Sequence, residues 1–300
     1  MMPSVLAPSQ SLSSRILLGG VLALASAWAC EAGNPSRRGE PSTGSAGAAR
    51  SAAAASAPQT AAPLPAAPAL ATPPPATSSG LEVVRLGPMP ESERGGQLVL
   101  LLHGWGAPGD NLVSLARTLG RPRTRFLVPA APLPEPGGGR AWWHLGKERP
   151  AKVSTDELPA RHQPSAAVAE ARRAVQALLR EAVQRYAPDS IALAGFSQGA
   201  QLALDVALAA EPRVDRVAVL SGALLADSLA ALHASQPPLP AVFVAHGRTD
   251  RVLAYSGAEG IQSVLSRRGY SVTFFPFDGG HQIPPIVVEQ LRTFLFGGPG

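Results

Sequence analysis

Residues 190–204 read Ser-Ile-Ala-Leu-Ala-Gly-Phe-Ser-Gln-Gly-Ala-Gln-Leu-Ala-Leu, and no other stretch of the chain says more about the fold. The apolar run at its start predicts a buried strand, and the Ala- and Leu-rich residues from Gln198 onward predict a helix. Between the two, residues 195–199 form the pattern G-x-S-x-G. In a strand-to-helix turn this pattern is typical of a nucleophile elbow, which would present the Ser197 hydroxyl at the carboxyl end of a sheet.

Apolar strands alternate with amphipathic helices on both sides of this turn. Further strands are predicted at 97–102, 125–128, 214–220, 241–245 and 271–277, and helices at 111–119, 165–186, 255–268 and 285–296. The strand at 97–102 is almost wholly apolar, as expected for a strand covered on both faces. The alternation predicts an α/β fold with one mostly parallel central sheet and helices on both faces.

The first 80 residues have a different character. Arg15 precedes the mostly apolar residues 16–29, and Ala27-Trp28-Ala29 matches a small-x-small cleavage site, which together indicate a secretory signal. Cys30 follows directly as the single cysteine and resembles the lipidated cysteine of the bacterial lipobox, although Ala27 stands where Leu is usual. Residues 30–80 are dominated by Ala, Pro, Ser, Gly and Thr, a composition that buries too little apolar surface to fold.

We therefore predict a signal peptide at 1–29, a disordered tether at 30–80 and one folded domain at 81–300. Export to the cell envelope is expected, with membrane attachment through a lipidated Cys30, and plain secretion is the alternative. The basic residues that give the formal charge of +5 are scattered rather than clustered on one face with aromatic platforms. This pattern argues against nucleic-acid binding. The sequence does not indicate an oligomeric state.

A serine nucleophile needs a base, and the base needs a carboxylate that orients it. In this strand-to-helix arrangement both follow the serine along the chain, in the order acid then base. His281 lies in Asp-Gly-Gly-His after the last predicted strand, where a loop can return the imidazole to Ser197. Asp250 lies just past the strand at 241–245, at the same edge of the sheet. We predict Ser197, Asp250 and His281 as a catalytic triad.

Other residues compete for the role of the acid. Asp215, Asp227 and Asp278 are the alternative carboxylates, although Asp278 is very close in sequence to His281. His246, at the end of the strand before Asp250, is assigned a structural role in ordering the acid loop.

The oxyanion of an acyl-transfer intermediate needs two backbone donors. The amide of Gln198, directly after the nucleophile, is one candidate. The other is the amide of Trp105 in His-Gly-Trp-Gly, at the end of the first long strand. Trp142 and Trp143 lie in the irregular, Pro- and Gly-rich region at 132–164, where they either wall an acyl pocket or fill the core.

These segments together resemble the phospholipase/carboxylesterase branch of the α/β hydrolases, which includes acyl-protein thioesterases. The resemblance rests on residues 101–112, 140–143, 194–200, 245–250 and 278–284. It implies a single α/β-hydrolase domain, the Ser197, Asp250 and His281 triad, Trp105 and Gln198 as oxyanion donors, and no metal or organic cofactor. Two features depart from the family: its members are often cytosolic, and Leu253 stands where Pro is frequent.

The expected activity is hydrolysis of small-molecule carboxylic esters or thioesters through an acyl-enzyme intermediate. A catalytically silent hydrolase-like binding protein of the envelope is an alternative of another class. Peptidase and cofactor-free perhydrolase activities use the same triad, and pocket shape decides between them.

Overall fold

The computed structural model of the chain describes residues 79–87, 90, 92–145 and 165–297. The predicted signal peptide at 1–29, Cys30 and nearly all of the predicted tether at 30–80 lie outside the described residues. No described helix combines the length and the apolar character needed to span a bilayer.

The described domain alternates strands and helices along the chain. The strands are β1 Val83–Leu86, β2 Gln97–Leu102, β3 Thr124–Pro129, β4 Leu133–Pro134, β5 Arg140–Ala141, β6 Ser190–Phe196, β7 Arg216–Leu220, β8 Ala241–Gly247 and β9 Val272–Phe277. The helices are α1 Val113–Leu119, α2 Ala166–Tyr186, α3 Gln198–Ala209, α4 Leu229–Ala234, α5 Tyr255–Arg267 and α6 Pro285–Phe296.

Seven strands form one sheet in the order β1-β3-β2-β6-β7-β8-β9. All neighbours are parallel except β1 and β3, which pair antiparallel at the edge. The predicted α/β class with a mostly parallel central sheet is therefore confirmed. Because parallel strands end at one edge, the loops after β2, β6, β8 and β9 meet there, which is where α/β folds build their sites.

Side chains of the central strands alternate between two buried layers, as the period of two requires. In β2, Leu98, Leu100 and Leu102 belong to the core layer covered by α2, α3, α4 and α5. Val99 and Leu101 belong to the opposite layer, which is covered by α1 and α6. Helices therefore lie on both faces, as predicted, and the sheet edge that carries the loops is supported from both sides.

Helix α2 begins where its sequence indicates. The hydroxyl of Ser165 accepts a hydrogen bond from the Val168 N–H at 3.4 Å, so Ser165 is the N-cap. Arg172 of this helix reaches α3, where its Nε and Nη2 donate to the two carboxylate oxygens of buried Asp205 at 2.6 and 2.8 Å. This ion pair connects α2 to α3.

Several elements differ from the predicted ones. Strand β1 and helix α4 were not predicted, and the irregular region at 132–164 contains the short antiparallel pair β4 and β5. Strand β3 extends one residue beyond the predicted strand at 125–128 at each end, and its last residue, Pro129, pairs with Val83 of the edge strand β1.

Candidate active site

Ser197 occupies a single-residue turn between β6 and α3. Its backbone has φ 54° and ψ −116°, a conformation that is strained for any residue with a Cβ. Hydrogen bonds hold it: the Ser197 N–H donates to the Leu220 carbonyl at 3.0 Å, and its carbonyl accepts from the Ala200 and Gln201 N–H groups. The nucleophile-elbow geometry predicted from the sequence is therefore present.

The two glycines of the G-x-S-x-G pattern are required by close backbone contacts. A Cβ on Gly199 would collide with the Leu102 carbonyl oxygen, and one on Gly195 would collide with the Gly199 carbonyl oxygen. Gly104 of the β2–α1 loop also lies close, since a Cβ there would be 3.3 Å from the Ser197 Cβ. The turn is thus packed directly against the end of β2.

Asp250 lies in the loop after β8 with its side chain fully buried. Its Oδ1 accepts hydrogen bonds from the Val252 and Leu253 N–H groups at 2.8 and 2.9 Å. Its Oδ2 lies 2.7 Å from His281 Nδ1. The loop therefore fixes the orientation of the carboxylate so that its second oxygen faces His281.

His281 lies in the loop between β9 and α6. Because Nδ1 faces a carboxylate oxygen, it carries the proton, and the Nε2 of the neutral ring is an acceptor. The ring packs on Phe196, the residue before Ser197, with 4.7 Å between the ring centroids. Among the described residues no hydrogen bond joins the Ser197 hydroxyl to His281. Such bonds are often long in unliganded sites and tighten with substrate.

The competing carboxylates are engaged elsewhere. Asp215 accepts a hydrogen bond from the first buried N–H of β6, at 2.9 Å. Asp227 accepts one from the N-cap residue of α2, at 2.6 Å. The side chain of Asp278 is 97% exposed and lies 3.5 Å from Arg248. Asp250 is the predicted acid that contacts the histidine.

His246 lies beneath the acid loop with no exposed surface. Its Nε2 is 2.9 Å from the Leu253 carbonyl oxygen and 3.2 Å from the Asp250 Oδ2. These contacts fit the structural role assigned to His246, because they connect the end of β8 to the loop that carries the acid.

The two predicted oxyanion donors belong to two segments that meet at the nucleophile, the start of α3 and the β2–α1 loop. Gln198 is the first residue of α3, so its N–H points out of the positive end of the helix dipole. Trp105 follows Gly104 and is 47% exposed. Among the described hydrogen bonds outside regular helices and strands, neither N–H is a donor.

Trp142 and Trp143 are each only 1% exposed and belong to the core layer covered by α2 and α3. Of the two roles left open by the sequence, their burial fits core filling. Contact with a substrate remains a prediction for both residues.

Sequence reasoning missed the role of His103, at the end of β2. Its Nε2 accepts from the Ala131 N–H at 3.0 Å, and its Nδ1 lies 2.8 Å from the Gly104 carbonyl oxygen. These partners select the neutral ring protonated at Nδ1, and burial lowers the pKa of His103. The position of His103 beside the glycine-rich loop could have indicated a structural role. Its partner could not be predicted, because Ala131 lies after β3, a different strand.

Metal-ligating side chains are not grouped in the part of the chain that the structure describes: no three His, Cys, Asp or Glu residues are arranged to hold an ion.

Comparison with known proteins adds to this geometry. Residues 89–296 match the family described as phospholipase/carboxylesterase. Acyl-protein thioesterase 1 from Neurospora crassa is 25% identical over 218 residues, which cover 66% of this chain and 84% of that protein. Acyl-protein thioesterase 1 from Aspergillus fumigatus is 27% identical over 215 residues, which cover 66% and 86%.

Solved structures show the same similarity. The crystal structure of esterase PE8 is 29% identical, with a TM-score of 0.59, and the match covers 72% of this chain and 97% of that one. Zea mays acyl-protein thioesterase 2 is 22% identical, with a TM-score of 0.54 and coverage of 71% and 96%, and shares the fold.

Proposed function

Because this chain belongs to the phospholipase/carboxylesterase family, we propose that it cleaves carboxylic esters through a covalent acyl-enzyme formed on Ser197. The family, with the similar thioesterases and esterase, makes the chain a carboxylic ester hydrolase. The observation that best supports the proposed mechanism is the 2.7 Å hydrogen bond between buried Asp250 and His281, on the sheet edge that carries the strained Ser197.

Acylation begins with attack of the Ser197 Oγ on the ester carbonyl carbon. The hydroxyl proton passes to His281 Nε2, and the carbonyl electron pair moves onto the oxygen. Asp250 remains ionised and stabilises the imidazolium through Nδ1. When the intermediate collapses, the carbon–oxygen bond to the leaving alcohol breaks, and the alcohol takes the proton from His281.

Deacylation repeats these steps with water. The water attacks the acyl carbon while His281 Nε2 accepts its proton, and collapse returns that proton to the Ser197 Oγ and releases the acid. In both halves the negative oxygen is proposed to accept hydrogen bonds from the Gln198 and Trp105 amides. Such donors matter because they are oriented before charge develops.

Short acyl esters are the proposed substrates, with thioesters as a second class. Among the described residues, the connections at the carboxyl edge of the sheet insert no separate domain over Ser197, and this is the basis for proposing short rather than long acyl chains. A thioester presents the same carbonyl to the same groups. The thioesterase relatives support including it as a substrate.

The full-length chain is expected to hydrolyse p-nitrophenyl esters of short acids, with kcat/KM falling at least about tenfold toward long acyl chains. The measurement is a panel that varies acyl length and compares matched ester, thioester and amide. A preference for the amide would identify a peptidase, and peracid formation from the acid and peroxide a perhydrolase. Ligand binding without any turnover would identify a silent binding protein. Each of these results would overturn the proposal.

We also propose that the chain is exported and anchored through Cys30, on the basis of residues 15–30 of the sequence. In cells that make the full chain, Cys30→Ala is expected to shift most of the protein from the membrane fraction to the soluble fraction. Hydrolase activity per molecule should not change, because Cys30 precedes the domain. A variant that remains in the membrane fraction to the same extent as the wild type would contradict lipid anchoring.

A further inference from the structure

Trp142 uses both of its N–H groups in buried hydrogen bonds. Its indole Nε1 donates to the His103 carbonyl oxygen at 2.9 Å, and its backbone N–H donates to the Gln198 Oε1, also at 2.9 Å. Gln198 Nε2 then donates to the Trp143 carbonyl oxygen at 2.7 Å. All four residues are buried, so these bonds are formed away from water.

The two acceptors of Trp142 belong to the two halves of the proposed oxyanion hole. His103 immediately precedes Gly104 and Trp105, whose loop carries one proposed donor. Gln198 carries the other donor on its backbone, while its side chain receives the bond from Trp142. One residue therefore connects the segments that hold both amides.

Two backbone hydrogen bonds also join the segment that carries Trp142 to the β2–α1 loop. The Gly106 N–H donates to the Arg140 carbonyl at 2.9 Å, and the Arg140 N–H donates to the Ala107 carbonyl at 3.0 Å. The chain from Arg140 to Trp142 is thus fixed to that loop at two places. Since Trp142 also bonds Gln198, the loop and the start of α3 are held at one separation.

We infer that Trp142 is a positioning residue that sets the distance between the Trp105 and Gln198 amides. The inference rests on the proposed function. An oxyanion hole works only when its donors are held within about 0.5 Å of their productive positions, which lie about 2.7–3.1 Å from the developing oxyanion. The Trp142 bonds lock the donors before substrate arrives, and their loss would allow the loop and the helix to move apart.

Replacement of the indole by a phenyl ring tests the inference. In the full-length chain, Trp142→Phe keeps an aromatic ring and removes the Nε1–H, and we expect kcat to fall about 10- to 100-fold with KM within twofold. A trifluoromethyl ketone forms a tetrahedral oxyanion on a serine nucleophile. Its inhibition constant should rise by the same factor as the fall in kcat/KM. Loss of activity through KM alone, or an unchanged inhibition constant, would overturn the inference.

Tyr186→Phe is the matched control. Tyr186 is equally buried in the same core layer but lies at the opposite edge of the sheet, beside the start of β2. The substitution removes one polar group from a buried aromatic ring, as Trp142→Phe does, and it should leave kcat and the inhibition constant unchanged.

A second variant tests the inference even if Trp142→Phe does not fold. Gln198→Met keeps the backbone donor but removes the acceptor of the Trp142 N–H, and it should lower kcat in the same way. The double variant should lose less than the product of the two single losses, because both act on one connection. A fully multiplicative loss would contradict the inference.

The outcomes separate this inference from the proposed function. If Trp142→Phe keeps the wild-type kcat in a chain whose activity depends on Ser197, only the positioning role fails. If activity does not depend on Ser197, the proposed function fails, whatever Trp142→Phe does.

Discussion

Replacing Ser197 with Ala is expected to lower ester turnover by about 10⁴-fold or more, with the fold intact. The reaction loses the atom that forms the covalent bond, and no neighbouring hydroxyl replaces it on the turn. The φ of 54° is as strained for Ala as for Ser, and the three backbone hydrogen bonds of the turn do not involve the side chain. The melting temperature should therefore stay within a few degrees of the wild-type value.

Labelling by a fluorophosphonate measures the same property directly. The wild-type chain should be modified at a single serine, and Ser197→Ala should not be labelled. Ser221→Ala is the matched control. Ser221 also has a positive φ, 47°, and directly follows β7, the strand next to β6, but it is fully buried. Labelling that disappears in Ser221→Ala and persists in Ser197→Ala would refute the nucleophile assignment.

Local chemistry made much of the fold predictable. Helix α6 has the bounds that its sequence indicated, and Ser165, the first residue of the helix predicted at 165–186, is the N-cap of α2. The elbow was predictable because its cause is steric and lies within five consecutive residues. Strand β1 was missed because four residues at a sheet edge, paired antiparallel with β3, carry little periodicity of their own.

The candidate site likewise contains residues that the sequence predicted and contacts that it could not predict. Asp250 and His281 were predictable because parallel strands must end at one edge, which brings the loops after β8 and β9 together. The bonds of Trp142 were not predictable, because they depend on where an irregular segment returns to the sheet. The same holds for the Gln198 side chain, which looks like an ordinary residue of a helix start and is a buried bridge in the structure.

Asp250→Asn is the second change with a large expected effect: a fall in kcat of about 10⁴-fold, again without unfolding. The Val252 and Leu253 N–H groups both donate to Oδ1. In the variant the amide oxygen must take that position, since the amide nitrogen cannot accept two hydrogen bonds. The NH₂ group is then placed where Oδ2 faced His281.

That orientation changes the histidine tautomer. A donor 2.7 Å from Nδ1 requires Nδ1 to accept, so the imidazole proton moves to Nε2. Nε2 is the atom that must take the proton of Ser197, and in this tautomer it cannot. The pH–rate profile and the thermal melt should be measured together with kcat, so that a folding defect is recognised.

Asp278→Asn is the control, because it makes the same chemical change three residues from His281 on a side chain that is almost fully exposed. Its kcat should stay within about twofold of wild type.

Asp250→Ala completes the comparison, since it removes the charge without supplying a donor to His281. If the lost negative charge were the whole effect, Asn and Ala would impair catalysis equally. If a side chain of the same size and shape as Asp were enough to orient His281, the Asn variant would be more active than the Ala variant. A tautomer fixed by the Val252 and Leu253 amides instead makes Asn at least as damaging as Ala, and an Asn variant clearly more active than the Ala variant would contradict this role for the acid loop.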